Sequence, residues 1–340
     1  DLYHEKGADI VIHGSSEIAL HECIESLDKN IPLDDINGIS FLSESTVIKP
    51  KARIKLKDLD ILPMANWGVI DIERYRAIWK TSKFSFALNL STTRGCPFKC
   101  NWCAKPLYGN RYNSRSPEKV IEEIKHLITT YGVNNYWITD DIFGLKPGWV
   151  KQFDELITAN NLKIEYKIQS RADLLMKDKT IDELVSSGLK EVWMGAESGS
   201  QKVLDAMDKG ITIEQINDST SLLQNKGVNV AYFLQFGYLG EDKSDILKTI
   251  NMVKRNKPDD IGISVSYPLP GTPFYEKVKS QLDKKANWED SDDLDLMFEG
   301  EYSSEYYRIL QRYVHHLFRW QQGVRKITKW TKPISWRYVI

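Results

Sequence analysis

Cys96, Cys100 and Cys103 fall within eight residues, in the run Thr93-Arg94-Gly95-Cys96-Pro97-Phe98-Lys99-Cys100-Asn101-Trp102-Cys103, and Cys23 is the only other cysteine in 340 residues. Three thiolates on one loop can hold three irons of a cubane cluster, leaving the fourth iron open to a substrate. Two plainer chemistries compete. A structural zinc ion needs four closed ligands, whereas His126, the nearest downstream histidine, falls in an expected helix and Cys23 is remote in sequence. A disulfide scaffold fits poorly with four cysteines, three of them clustered so that one stays unpaired. Cys23 by itself reads as a small buried apolar residue.

The C-x3-C-x2-C spacing, the aromatic Trp102 before the last cysteine, and the strand-helix alternation that follows resemble the radical S-adenosylmethionine (radical SAM) superfamily. The resemblance implies a [4Fe-4S] cluster on Cys96, Cys100 and Cys103, chelation of the amino and carboxylate groups of S-adenosylmethionine by the open iron, and release of a 5'-deoxyadenosyl radical. The cofactor carries such chemistry, and the protein positions it and excludes competing reactions.

The elements that must position this loop are legible as an alternation. Short apolar or β-branched runs at 84–92, 135–139, 164–169, 191–196, 229–236 and 261–267 read as strands, and 117–131, 147–160, 180–187, 213–226 and 243–255 as helices between them. Ser116-Pro117 is a helix start, with a hydroxyl cap and proline at the first helical position. Six strand-then-helix units predict an α/β fold with a parallel sheet. The resemblance implies a partial (β/α)6 TIM-like barrel; a doubly wound sheet gives the same pattern.

In both architectures ligands gather beyond the carboxyl ends of the strands. The cysteine loop follows the first strand. The second ends in Thr139-Asp140-Asp141, where the resemblance implies a site for the amino group of S-adenosylmethionine; a capped loop or a Mg2+ site is the plainer reading. After the third, Arg171 offers a planar fork for a carboxylate, or holds Asp141 or Glu197 structurally. The fourth ends in Gly195-Ala196-Glu197-Ser198-Gly199, similar to a Gly-Ile-Glu-Ser-Gly motif of the cobalamin-associated branch, whose Glu197 and Ser198 would reach the ribose or methionine; alone, it reads as a helix start with a serine cap. Trp102 completes the expected cofactor-binding set. The fifth leads into Gln235-Phe236-Gly237-Tyr238-Leu239-Gly240-Glu241, read as a local turn, and the sixth into Pro270-Gly271-Thr272-Pro273, which resembles the segment closing the barrel in that branch. Tyr232, Gln235 and Tyr267 are expected to face the substrate. The absence of further cysteines argues against auxiliary clusters.

Ahead of this core, residues 8–13 form a strand pattern, Gly14-Ser15-Ser16-Glu17 a turn and 18–27 an amphipathic helix, together one βα unit. It resembles the last unit of a Rossmann-like cobalamin-binding domain, and Ile36-Asn37-Gly38-Ile39-Ser40-Phe41 and Leu56–Pro63 resemble the hairpin and linker that follow it. The chain opens at Asp1 as though within a domain, so cobalamin is expected only in a longer native chain. The branch's Asp-x-His-x-x-Gly loop is absent, and His4 reads as a surface histidine. The expected division is 1–45 as the domain remnant, 46–83 as linker, 84–287 as radical SAM core and 288–340 as a helical extension.

In that extension residues 288–305 carry eight acidic and no basic residues, and 306–340 eight basic and no acidic ones, with Trp320, Trp330 and Trp336. Opposite blocks fold against each other or stay solvated; a basic aromatic helix also suits an anionic membrane surface. A net charge of -1 gives no field for nucleic acid. No run reaches the ~18 to 20 apolar residues of a membrane span, and the sparse cysteines point to a reducing cytoplasm. The function so implied is hydrogen abstraction from a small or lipid-like organic substrate by a radical SAM enzyme, leading to methyl transfer or cyclisation and fed by an electron donor such as flavodoxin or ferredoxin. The alternatives are a zinc-stabilised binding module and a truncated, non-catalytic relative that binds S-adenosylmethionine.

Overall fold

The computed structural model describes residues 2–44, 46–54, 56–80, 86–103, 110–282 and 294–330. Its N-terminal part holds helix α1 (Leu2–Glu5), strand β1 (Ile10–Ile12), helix α2 (Glu17–Asp28) and the hairpin β2 (Ile39–Ser43)–β3 (Thr46–Ile48). The expected βα unit is present, but its sheet is antiparallel: Ile10 pairs with Phe41 and Ile12 with Ile39. Residues 29–38 carry the chain from the end of α2 back to the far end of β1, where His13 N donates to Gly38 O at 2.7 Å, so β2 enters in the opposite direction. Ala19, Cys23, Ile36, Ile39 and Phe41 form a small core there, and burial pushes the Cys23 thiol up. His4 is buried, not on the surface: its ring bonds Ala8 O at 2.7 Å and Ser40 Oγ at 2.9 Å.

After α3 (Ile72–Lys80) the larger unit begins with β4 (Leu88–Leu90) and a two-stranded ribbon, β5 (Thr93–Arg94) with β6 (Asn113–Ser114). It continues as α4 (Pro117–Tyr131), β7 (Asn135–Ile138), α5 (Trp149–Ala159), β8 (Glu165–Ser170), α6 (Ala172–Leu175), α7 (Thr180–Ser186) and β9 (Leu189–Glu197). Then follow α8 (Gln201–Ala206), α9 (Ile213–Asn225), β10 (Asn229–Phe236), α10 (Lys243–Asn256), β11 (Asp260–Val265), α11 (Pro273–Val278) and α12 (Ser304–Trp330). The first barrel strand is shorter than 84–92, whose opening residues Phe84 and Ser85 lie outside the described residues.

Six parallel strands stand in the order β4-β7-β8-β9-β10-β11. Sequence order equals spatial order, so no reversal exists at which a doubly wound sheet would place its ligand. Right-handed crossovers then put all the helices on one face, and β4 and β11 remain unpaired with each other: the sheet is a partial barrel. Side chains alternate accordingly. Tyr136, Ile138, Tyr166, Ile168, Val192, Met194, Tyr232 and Leu234 point outward into the helix-packed core. Tyr232 therefore does not face the barrel interior; its hydroxyl meets Thr220 Oγ1 at 2.5 Å and Asn256 Nδ2 at 3.0 Å.

Helix α4 shows how local sequence sets these elements: Ser116 Oγ accepts from Lys119 N, Pro117 opens the first turn, and Gly132 in the left-handed region (φ 62°) closes the last. Helix α12 packs on the core through Tyr307, Leu310, Val314 and Phe318. The two charge blocks meet in part, Arg308 lying 3.8 Å from both Asp295 and Glu305. Trp336 and the domain boundaries at 83/84 and 287/288 fall outside the described residues.

Candidate functional site

The cysteine run leaves β4 as a loop with no regular structure of its own beyond the ribbon, so its shape is imposed by neighbours. Asp140 fixes the start. It is 2% exposed and accepts from Thr92 N at 2.7 Å, Thr93 N at 2.9 Å and Thr92 Oγ1. Burial pushes its carboxyl up to about 6 while these three donors pull down. Asp141, the next inward position, is exposed and accepts from Gly95 N at 3.2 Å. Arg94 forms a two-pronged ion pair with Glu17, joining the loop to the first turn of α2 and holding the Glu17 carboxyl below the usual range.

The middle of the loop is clasped by Arg171. Its guanidinium lies 3.7 Å from the centre of the Phe98 ring, donates to Asp173 Oδ1 at 2.9 Å and Lys209 O at 2.8 Å, and points Nη1 at Cys100 Sγ at 3.8 Å. It holds neither Asp141 nor Glu197. Glu197 instead pairs with Lys209 Nζ at 2.7 Å in a buried contact, at a residue with φ 56°; a Cβ on Gly195 would lie 2.7 Å from that ammonium. The Lys209 ammonium in turn stands 5.9 Å from the Trp102 ring. Ser198 is turned away from the loop: fully buried, its hydroxyl meets Thr249 Oγ1 of α10 at 3.1 Å.

The end of the loop depends on Asn101, 2% exposed, which sequence reasoning passed over. Its Nδ2 donates to Ala206 O at 2.8 Å and Asp208 Oδ2 at 2.7 Å, its Oδ1 accepts from Tyr238 Oη at 2.7 Å, and its backbone pairs with Met207 O and Phe274 N, both at 3.0 Å. The turn after β10 is thus not a local feature, since its Tyr238 clamps the loop, and Phe274, just past the Pro-Gly-Thr-Pro segment, does the same. Lys209 was likewise missed. Neither residue carries a motif, since both act through contacts more than ten residues away in sequence.

None of the four cysteines is in a disulfide, and Cys96 and Cys103 are half-buried. Among the described residues no three Cys, His, Asp or Glu side chains converge on a point where one ion could sit. A cubane takes one thiolate per iron, so three thiols leave its fourth iron open, whereas a closed tetrahedral zinc site needs a fourth ligand. The donor set is also right: three thiols, with a guanidinium directed at one of them.

Residues 90–253 match the family model of the radical SAM superfamily. This stretch of the chain is a radical SAM domain. That match implies a [4Fe-4S] cluster and S-adenosylmethionine. The chain is 27% identical to an uncharacterized methyltransferase of Pyrococcus horikoshii over 82% of its own length and 60% of that protein's. It is 24% identical to the anaerobic magnesium-protoporphyrin IX monomethyl ester cyclase of Cereibacter sphaeroides over 81% of its length and 45% of the cyclase. The radical SAM methyltransferase TsrM of Kitasatospora setae, solved with cobalamin and a [4Fe-4S] cluster, has the same fold: TM-score 0.69 at 18% identity, covering 83% of this chain and 55% of that one. The radical SAM chain thus spans about half the length of the proteins it matches.

Proposed function

We propose that this chain is the catalytic part of a radical SAM enzyme, in which Cys96, Cys100 and Cys103 ligate a [4Fe-4S] cluster. Bound there, the cluster would supply the electron for reductive cleavage of S-adenosylmethionine to methionine and a 5'-deoxyadenosyl radical, the species that would take hydrogen from an organic substrate. The carrying observation is the loop itself, held on three sides by Arg94–Glu17, by Arg171 against Cys100, and by Asn101. Asp141 and the Glu197–Lys209 pair present polar groups at the strand ends for the cofactor, beside Trp102; Asp140, Arg171 and Ser198 act by fixing backbone and side chains around them. Methyl transfer or oxidative cyclisation follows, in keeping with the relatives' names, and flavodoxin or ferredoxin is the fitting electron donor. In a longer chain cobalamin would sit against the N-terminal unit. The reading divides the chain at 45, 83 and 287 and places it in the cytoplasm.

Anaerobic reconstitution tests it. A dithionite-bleachable cluster with 5'-deoxyadenosine formation is expected, both lost in Cys96→Ser/Cys100→Ser/Cys103→Ser. A cluster without cleavage of S-adenosylmethionine, or a colourless zinc protein, overturns it.

A peripheral membrane contact is proposed for α12. No helix among the described residues is long and apolar enough to cross a membrane. Along one exposed face of α12, however, lie Ile309, Tyr313, Trp320 (67% exposed) and Val324, flanked by Arg312 and Arg319. Such a face suits anionic lipid, and co-sedimentation with phosphatidylglycerol vesicles, lost in Trp320→Ala, checks it.

A further inference from the structure

Parallel sheets are ordinarily covered on both faces. Here the helices cover only the outer one, and the concave face shows Trp137 36% exposed and Phe233 37% exposed. The inward row alternates with the buried outward residues, and it contains no Leu, Ile or Val from β7 to β10. Its apolar members are aromatic rings, alanine and glycine. Trp193 and Phe233 lie side by side, centroids 4.7 Å apart and 35° between planes. Gly262 on the adjacent strand lets both rings lie close against its backbone; a Cβ there would touch Trp193 at 3.4 Å and Phe233 at 3.5 Å. Across the sheet, the Lys167 ammonium sits 3.9 Å over the Trp137 ring.

We propose that this face is the floor of the substrate site and that it takes a flat, fused-ring apolar molecule bearing a carboxylate. Flat, partly exposed rings stack planar partners, whereas an acyl chain is matched by branched aliphatic walls, and those are absent from the row. Lys167 supplies the complementary charge. At the cluster end, Gln235 follows Phe233 on the same face, and its Oε1 and the nearby Ser266 Oγ are buried with no hydrogen-bond partner among the described residues. Both residues are at least nine-tenths buried, at 4% and 0% exposure, so they are set to bond a polar substituent of the guest. Trp193 lies four residues before Glu197, roughly 13 Å at the strand rise, so a body of three or four fused rings on this floor reaches the level of the cysteine loop. Only the word substrate rests on the functional reading above; the binding does not need the cluster.

The test uses 1-pyrenebutyrate with the full chain, reading energy transfer from tryptophan to pyrene. Micromolar binding is expected both after cluster reconstitution and in Cys96→Ser/Cys100→Ser/Cys103→Ser, where no chemistry is possible, so failure of the floor and failure of the radical reading separate. Phe233→Leu and Gly262→Leu, which leave the helix-packed core untouched, should weaken binding at least tenfold. Lys167→Gln should abolish the preference for pyrenebutyrate over pyrenebutanol, and Trp320→Ala should change nothing. Unchanged affinity in both Phe233→Leu and Gly262→Leu, or displacement of the pyrene by palmitate at equal concentration, overturns the proposal. Circular dichroism confirms that each variant is folded.

Discussion

Asn101→Ala removes three side-chain hydrogen bonds that join the cysteine loop to Ala206, Asp208 and Tyr238. Each buried bond is worth about 1 kcal/mol net, and a group left buried without a partner costs about 1 to 3 kcal/mol. The three partners differ in what they lose. Asp208 is exposed and regains water, and Tyr238 Oη keeps its bond to Ala206 O at 3.0 Å. The loss is therefore nearer the sum of three modest bonds than of three orphaned groups, roughly 2 to 4 kcal/mol. The backbone bonds of Asn101 to Met207 and Phe274 do not depend on its side chain, so the fold survives. What loosens is the placement of Cys100 and Cys103 relative to the barrel. Urea unfolding should show the midpoint falling without a change in slope, and anaerobic reconstitution should give a cluster that loses iron to a chelator several times faster than in the parent. A variant with parental stability and parental iron retention refutes the reasoning.

Gly199→Ala would put a Cβ 2.5 Å from Lys248 O and 2.7 Å from the Thr249 Cα, both rigid backbone of α10, so at least about 3 kcal/mol of stability should be lost in the same urea assay. Burial pushes the Glu241 carboxyl up to about 8 from an ordinary 4.5, with only Gly237 N as donor. The folded chain then keeps a proton that the unfolded chain releases between those values, so the contribution of Glu241 to stability is fully present below pH 4.5 and is lost as pH rises through about 8, by a few kcal/mol at about 1.4 kcal/mol per unit. Glu241→Gln should flatten that slope between pH 5 and 8. Arg171→Lys keeps a charge but loses the fork on Asp173 and Lys209 O and the stacking on Phe98; its cluster potential should become more negative, read by redox titration, because a donor to Cys100 sulfur is lost.

The alternation was legible because its punctuation is chemical. Helix α4 was read to the residue from Ser116-Pro117, and β10 from an apolar run, broken only by Gln235, between turn residues. Strand β4 was not, since an edge strand pairs with β7 alone and its length is set by that partner. Nor could sequence tell that β1 pairs antiparallel, because strand direction is decided by where residues 29–38 run, and not by the residues of β1. The three clustered cysteines and the residues beyond each strand were visible as motifs, and of the latter Asp140, Asp141 and Arg171 meet the cysteine loop. Their partners were not visible: Lys209 for Glu197, Asp173 for Arg171 and Asn101 for three neighbours are pairings made by folding. Ser198 shows the converse, a motif residue whose hydroxyl serves helix packing.

Those pairings have an electrical consequence. Arg94 carries Glu17, Arg171 carries Asp173 and Lys209 carries Glu197, so every one of these cations near the loop arrives with its own carboxylate. A cluster on three thiolates is anionic and becomes more so on reduction, and unpaired cations beside it would stabilise the reduced form and raise its potential. Paired cations give orientation without that bias: Arg171 can direct an N–H at Cys100 and stack on Phe98 while its charge is balanced at 2.9 Å by Asp173. The arrangement thus keeps the loop rigid and the local field near neutral, the two conditions under which a cluster retains enough reducing power to break a carbon-sulfur bond. Replacing Asp173 by Asn tests this from the opposite direction to Arg171→Lys: freeing the guanidinium charge should move the potential upward, and a shift in the same direction for both variants would show that packing, and not charge, sets it.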